Sequence, residues 1–214
     1  MLLRDVAPLK AELGEILTWL RPLEKSDRDR ARRGYAMLSE ESRMNRFWEK
    51  PRELSHSRAE TLTDTDNHNH VAWVALPGDD AEIPAYGAAS FWRDEVDPTR
   101  AELAFTIGDQ WQRNGFATLL FSILWFDGWR TGLRHFEGYC RLGNTAMVAW
   151  WESIGGVVEE RGRQFELRFE MQKPESFVER IGFGMPKGVK QVEVAEWMQQ
   201  WLEATGESND SAVQ

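Results

Sequence analysis

The residues best suited to chemistry in this sequence are the run Gln112-Arg113-Asn114-Gly115-Phe116-Ala117. A glycine and a small residue two positions apart let backbone approach a ligand with no side chain in the way. If a helix begins there, its first amides and the positive end of its dipole face an anion, and a pyrophosphate suits them. The plain alternative is an ordinary turn, because glycine often precedes a helix. The elements around the run must decide between the two.

Those elements favour a ligand loop. Ahead of it, Ala101-Glu102-Leu103-Ala104-Phe105-Thr106-Ile107 is an apolar strand ended by Gly108-Asp109. Behind it, Phe116, Leu119, Leu120, Ile123 and Leu124 recur at helical spacing, a stripe broken at its last position by Asp127. A strand over His135 to Arg141 follows, and Asn144 opens a second amphipathic helix through Trp151. The order is strand, helix, strand, helix.

The flanks supply the rest of a sheet. A first strand is read over Ile16 to Leu20, stopped by Pro22, then a charged helix capped by Ser26-Asp27 and running to about Leu38. A second helix starts beyond Pro51 and runs to about Leu62. Val71 to Leu76 and Ala85 to Trp92, separated by Pro77-Gly78-Asp79-Asp80, read as a hairpin. Val157-Val158 and the alternating Phe165 to Phe169 complete the sheet. Near the C-terminus, Val194, Trp197, Met198, Trp201 and Leu202 form one helical apolar face, suited to core packing or a homodimer contact. The expected organisation is an extension over 1–15, a domain over 16–171, a loop and helix over 172–205, and a frayed tail over 206–214.

Composition narrows the function classes. Hydrophobic residues make up 42% of the chain, enough for a packed core. A net charge of -9 disfavours nucleic acid and favours cationic partners such as amines. Cys140 stands alone, which excludes an internal disulfide and a cysteine-built metal site. The first residues lack a signal-type apolar segment and no run is long enough for a bilayer, so a soluble cytoplasmic protein without membrane partners is expected. His68 and His70 could share a strand face and a metal, but the polar stretch around them reads better as a loop, and no metal is expected. Arg28, Arg30, Arg32 and Arg33 read as a solvated helix face.

The ordered set of motifs resembles the GNAT superfamily of N-acetyltransferases. Gln112-x-x-Gly115-x-Ala117 is similar to its acetyl-CoA motif, Gln/Arg-x-x-Gly-x-Gly/Ala. Asn144-x-x-Met147, followed by Trp151-Glu152-Ser153-Ile154-Gly155-Gly156, resembles its second motif, which usually ends Tyr-Glu-x-x-Gly-Phe. Arg21 to Asp27 and Leu38 to Phe47 are similar to the branch that includes bacterial protein-lysine acetyltransferases, and the likeness covers roughly residues 16 to 170.

The resemblance implies a mixed α/β (α+β) domain with a twisted sheet of about six or seven strands and helices on both faces. It implies acetyl-CoA as co-substrate, its pyrophosphate on the amides of Arg113, Asn114, Gly115, Phe116, Ala117 and Thr118, next to Gln112. Pantetheine would run beside the strand at Phe105 and Ile107, with Asn144 near its arm unless Asn144 serves only as a helix cap. Glu102 falls at the family's glutamate position and is the expected general base. An amine acceptor must lose a proton before it attacks, and a strand carboxylate can take it.

One departure bears on mechanism. Trp150 and Trp151 occupy the helix where the family places a tyrosine that protonates the leaving thiolate. Indole donates a hydrogen bond but is a poor proton source. Tyr139 is the alternative acid if its strand turns it toward the site. Two functions therefore stand side by side: an amine acetyltransferase acting on a protein lysine or a small amine, and a non-catalytic acyl-CoA-binding regulator.

Overall fold

The computed structural model describes residues 2–49 and 51–173. The C-terminal helix expected over Val194 to Leu202 lies outside the described residues. Among the described residues no helix is long and apolar enough to cross a membrane.

Among the described residues eight strands form one sheet: β1 (Leu9–Leu13), β2 (Ile16–Pro22), β3 (His70–Leu76), β4 (Gly87–Arg93), β5 (Arg100–Ile107), β6 (His135–Arg141), β7 (Val157–Arg161) and β8 (Gln164–Glu170). Their order is β1-β2-β3-β4-β5-β6-β8-β7. Every neighbouring pair is antiparallel except β5 with β6. The fold is the expected mixed α/β (α+β) one, with one strand beyond the expected six or seven. That strand is β1, whose Leu9, Ala11 and Leu13 point inward while Lys10 and Glu12 point out.

Among the described residues five helices cover the sheet: α1 (Arg28–Met37), α2 (Glu40–Phe47), α3 (His56–Thr63), α4 (Phe116–Arg130) and α5 (Thr145–Ser153). α4 is buried over most of its length and carries the main core, packing Leu120, Phe121 and Leu124 against Trp73, Phe91 and Phe136 of the sheet. Those strand residues alternate with ones on the opposite face. There, Leu23, Ala72, Val74 and Leu76 meet the α1–α3 layer, which holds its own cluster of Tyr35, Leu38, Phe47, Leu54 and Ala59.

The start of α1 departs from a simple cap. Asp27 is buried and bonds both guanidinium nitrogens of Arg21 at 2.7 and 2.8 Å, with no side-chain bond to the helix amides. Nor is the arginine face uniformly solvated. Arg30 turns inward beside Asp27 at 3.5 Å, whereas Arg28 reaches Glu60 at 2.8 Å across the surface.

The polar stretch before β3 is a loop built by one side chain. Asp66 accepts the amides of His68, Asn69 and His70, and His70 then heads β3, stacked on Trp92 with ring centroids 3.6 Å apart. Among the described residues no group of three or more metal-ligating side chains gathers.

Candidate active site

The site is made by a strand pair that parts. β5 and β6 pair only at Arg100 with His135, Ala101 with Phe136 and Glu102 with Glu137. Beyond Glu102 the strands diverge, although β5 stays paired with β4 as far as Ile107. The β6-facing edge of β5 near Phe105 and Ile107 is thus open to an extended ligand. The Phe105 ring turns into the core instead, edge-on to Trp150 with centroids 5.2 Å apart.

At the top of this opening the loop before α4 folds as a shallow cradle. Arg113 (φ 63°) and Gly115 (φ 91°) are left-handed, a geometry that gathers amides on one side and that only glycine adopts freely. Leu119 makes the first helical bond, to the Gly115 carbonyl at 2.9 Å, so the amides of Phe116 and Ala117 precede the helical ladder. The Phe116 ring is buried against Tyr86, which leaves its backbone at the loop. Asn114 and Gln112 shape the loop, Asn114 by donating to the Gln112 carbonyl at 3.2 Å.

Helix α2, unread from the sequence, walls the other side. Its cap Ser39 donates its hydroxyl to Asp109 at 2.6 Å and its amide at 2.8 Å, and Ser42 adds its hydroxyl at 2.8 Å. Burial pushes the Asp109 carboxyl up, but the two hydroxyls and the Ser39 amide hold it below the ordinary aspartate range. Gln112 reaches the same helix, donating to Ser42 at 3.1 Å. The loop and α2 are therefore stitched together. A serine followed by Glu40 and Glu41 is a helix-start signal in the sequence.

Two spaces result. A groove of about 390 Å³ is lined by Phe105, Ile107, Gln112, Arg113, Gly115, Phe116, Ala117, Thr118 and Asn144 together with α2. A cleft of about 270 Å³ holds Glu102, Tyr139, Asn45 and Trp48. Asn45, Arg46, Phe105, Asn144 and Met147 line both, so cleft and groove adjoin along a shared wall. Asn144 also caps α5, accepting the Met147 amide at 3.3 Å, so its two expected roles coexist in geometry.

Glu102, Glu137 and Tyr139 share one face of the parted strands, opposite to the buried Leu103, Phe136 and Cys140. Glu137 is ion-paired to Arg100. Burial pushes the half-buried Arg46 guanidinium down to about 10, opposed by the charge of Glu102. It therefore stays cationic at neutral pH, lining the same cleft as Glu102. Arg46 was not anticipated, since only tertiary packing of α2 brings it here. Both indoles of α5 are committed elsewhere: Trp150 donates to the Thr118 hydroxyl at 2.9 Å and Trp151 to the Arg168 carbonyl at 3.1 Å.

Strands that part beside a glycine-started helix offer an open strand edge and helix amides that suit a long anionic ligand. The chain belongs to the GNAT acetyltransferase family: the model of the acetyltransferase (GNAT) domain matches residues 18–157. Acetyltransferase Pat of Mycolicibacterium smegmatis is 30% identical over 150 residues, which is 70% of this chain and 44% of that relative. The chain thus spans less than half the length of that relative. The GNAT domain of S. lividans PAT superposes with a TM-score of 0.67 at 21% identity, covering 72% of this chain and 91% of that one. Spermidine N-acetyltransferase from Vibrio cholerae, solved in complex with CoA and spermine, superposes with a TM-score of 0.56 at 19% identity, covering 74% and 98%.

Proposed function

We propose that the chain is an N-acetyltransferase that moves the acetyl group of acetyl-CoA to a primary amine, with a protein lysine as the acceptor. The observation that carries this reading is that the groove of the glycine-started loop adjoins the cleft that holds Glu102. In this reading the amides from Arg113 to Thr118 hold the pyrophosphate, and the open edge of β5 at Phe105 and Ile107 takes the pantetheine. Acetyl-CoA supplies an acetyl group activated as a thioester.

The residues of the chain do the rest. Glu102, beside Glu137, offers an ammonium acceptor an anionic landing point and takes its proton, directly or through water. The freed amine then bonds to the acetyl carbon as the carbon–sulfur bond breaks. Tyr139, on the same face as Glu102, gives the departing thiolate its proton, a role open to it because both α5 indoles are engaged. An amine protonated at neutral pH suits the Glu102 carboxylate, and the net charge of -9 favours cationic acceptors.

The test is thiol release from acetyl-CoA over lysine peptides and small amines, with Glu102→Gln alongside. The expected result is lysine-dependent release that falls about 10²–10⁴-fold in the variant while acetyl-CoA affinity holds. Release with polyamines alone would move the acceptor to small molecules. Tight acetyl-CoA binding with no release from any amine would replace the enzyme by an acyl-CoA-binding regulator.

A further inference from the structure

We propose that the space between the α1–α3 layer and the sheet is an acyl-chain chamber, which lets the site take straight-chain acyl-CoA thioesters longer than acetyl. The inference rests on the acyl-CoA reading above and extends it to the acyl group.

The chamber is real room, about 110 Å³, walled by Leu23, Tyr35, Phe47 and Val74. Small groups keep it open: Ala31 and Gly34 on α1, Ala88 and Ala104 on the sheet. A Cβ built on Gly34 meets nothing within 4 Å. At roughly 30 Å³ for a water-sized group, the volume admits about three or four methylene-sized groups. A space with such walls offers water few partners and favours an alkyl chain. Its polar wall is Asp27, ion-paired with Arg21 and Arg30, together with Arg30 Nη1 and Arg46 Nε, which are buried without a hydrogen-bond partner among the described residues.

The chamber borders the place where an acyl group would lie. Leu38, Arg46 and Thr106 line both the chamber and the cofactor groove, and Ala104 and Arg46 line both the chamber and the Glu102 cleft. Ala88 pairs with Thr106 across β4 and β5, and so stands at the mouth. A thioester seated at the parting of β5 and β6 therefore has the amine cleft on one side and an apolar chamber on the other. An acetyl methyl leaves that chamber empty; a butyryl or hexanoyl tail enters it.

Calorimetric titration of the protein with acetyl-, butyryl- and hexanoyl-CoA tests this, using Gly34→Leu and Ala88→Leu to fill the chamber. Gly34→Leu also replaces a glycine inside a helix by a better helix former, so it guards against a variant that merely unfolds. Affinity should rise about four-fold per methylene up to hexanoyl. Both variants should erase that rise and leave acetyl-CoA affinity unchanged. Equal or weaker binding of the longer thioesters, or a rise that survives both substitutions, would overturn the chamber while sparing the transferase. Binding of neither acetyl-CoA nor hexanoyl-CoA would overturn both.

Discussion

The Trp151 indole lies directly over Gly156: a Cβ built on Gly156 would stand 2.2 Å from Trp151 Nε1. The family pattern usually has a tyrosine where Trp151 stands and a phenylalanine where Gly156 stands. The two departures are therefore sterically matched. The larger indole, fully buried and bonded to the Arg168 carbonyl, occupies space that only glycine leaves free. This also removes Trp151 from proton chemistry, because its single N–H is already given away.

That coupling should be measurable. Gly156→Ala should destabilise the fold by about 1–3 kcal/mol through overpacking. Trp151→Phe alone should also cost stability, through lost volume and an unpaired Arg168 carbonyl. Combined, the two should cost less than their sum by at least about 0.5 kcal/mol, read from urea unfolding. Strict additivity would mean that residue 156 is glycine for some other reason.

With both indoles engaged, Tyr139 carries the expected proton donation. Tyr139→Phe should lower kcat by about 10²-fold, the lower end for a general acid, since a thiolate leaves readily. Because Tyr139 lies in the cleft and away from the glycine-started loop, acetyl-CoA affinity should hold. Unchanged turnover would assign the proton to water.

Much of the framework was legible because it depends on local pattern. The α4 stripe, the β3–β4 hairpin and the loop around Gly115 follow from periodicity and turn residues. β1 escaped because five residues and a Gly14-Glu15 turn are a weak signal, even though Leu9, Ala11 and Leu13 alternate correctly. α2 escaped because Glu40 to Phe47 holds few apolar residues; its stability comes from Ser39 at its cap and from Asp109, distant in sequence. Arg46 belongs to the site only through that docking. Nothing local in the sequence announces that Asp27 and Arg21 draw Arg30 inward from the solvated arginine face.

The Ser39–Asp109 link gives a pH signature. The folded-state pKa of Asp109 is lowered, so its contribution to stability is present above the unfolded value and is lost as pH falls through the folded one. Asp109→Ala should therefore be less stable than the parent at pH 7, and the gap should close as pH drops below about 4. Since Asp109 anchors α2 against the groove, the same substitution should weaken acetyl-CoA binding. A stability gap that persists at low pH would show that packing, and not the carboxylate, holds α2.

Asp127 should behave in the opposite sense. It is the polar residue that breaks the α4 stripe, buried, and its Oδ1 accepts the Leu3 amide at 2.8 Å. Burial pushes its carboxyl up to about 6, with the Leu3 amide, Arg4 and Trp73 pulling the other way. Between its ordinary value of 3.8 and about 6 the folded state holds the proton that the unfolded chain has lost, so stability from this group declines as pH rises through that window. Asp127→Asn keeps an oxygen for the Leu3 amide and abolishes the titration. Subtracting parent from variant stability across pH isolates this group from every other carboxylate. The difference should grow from pH 4 to about 6 and level off by pH 7 with the variant more stable by up to about 3 kcal/mol. A flat difference would mean that water reaches Asp127 and that Leu3 is tethered by an ordinary, solvated carboxylate.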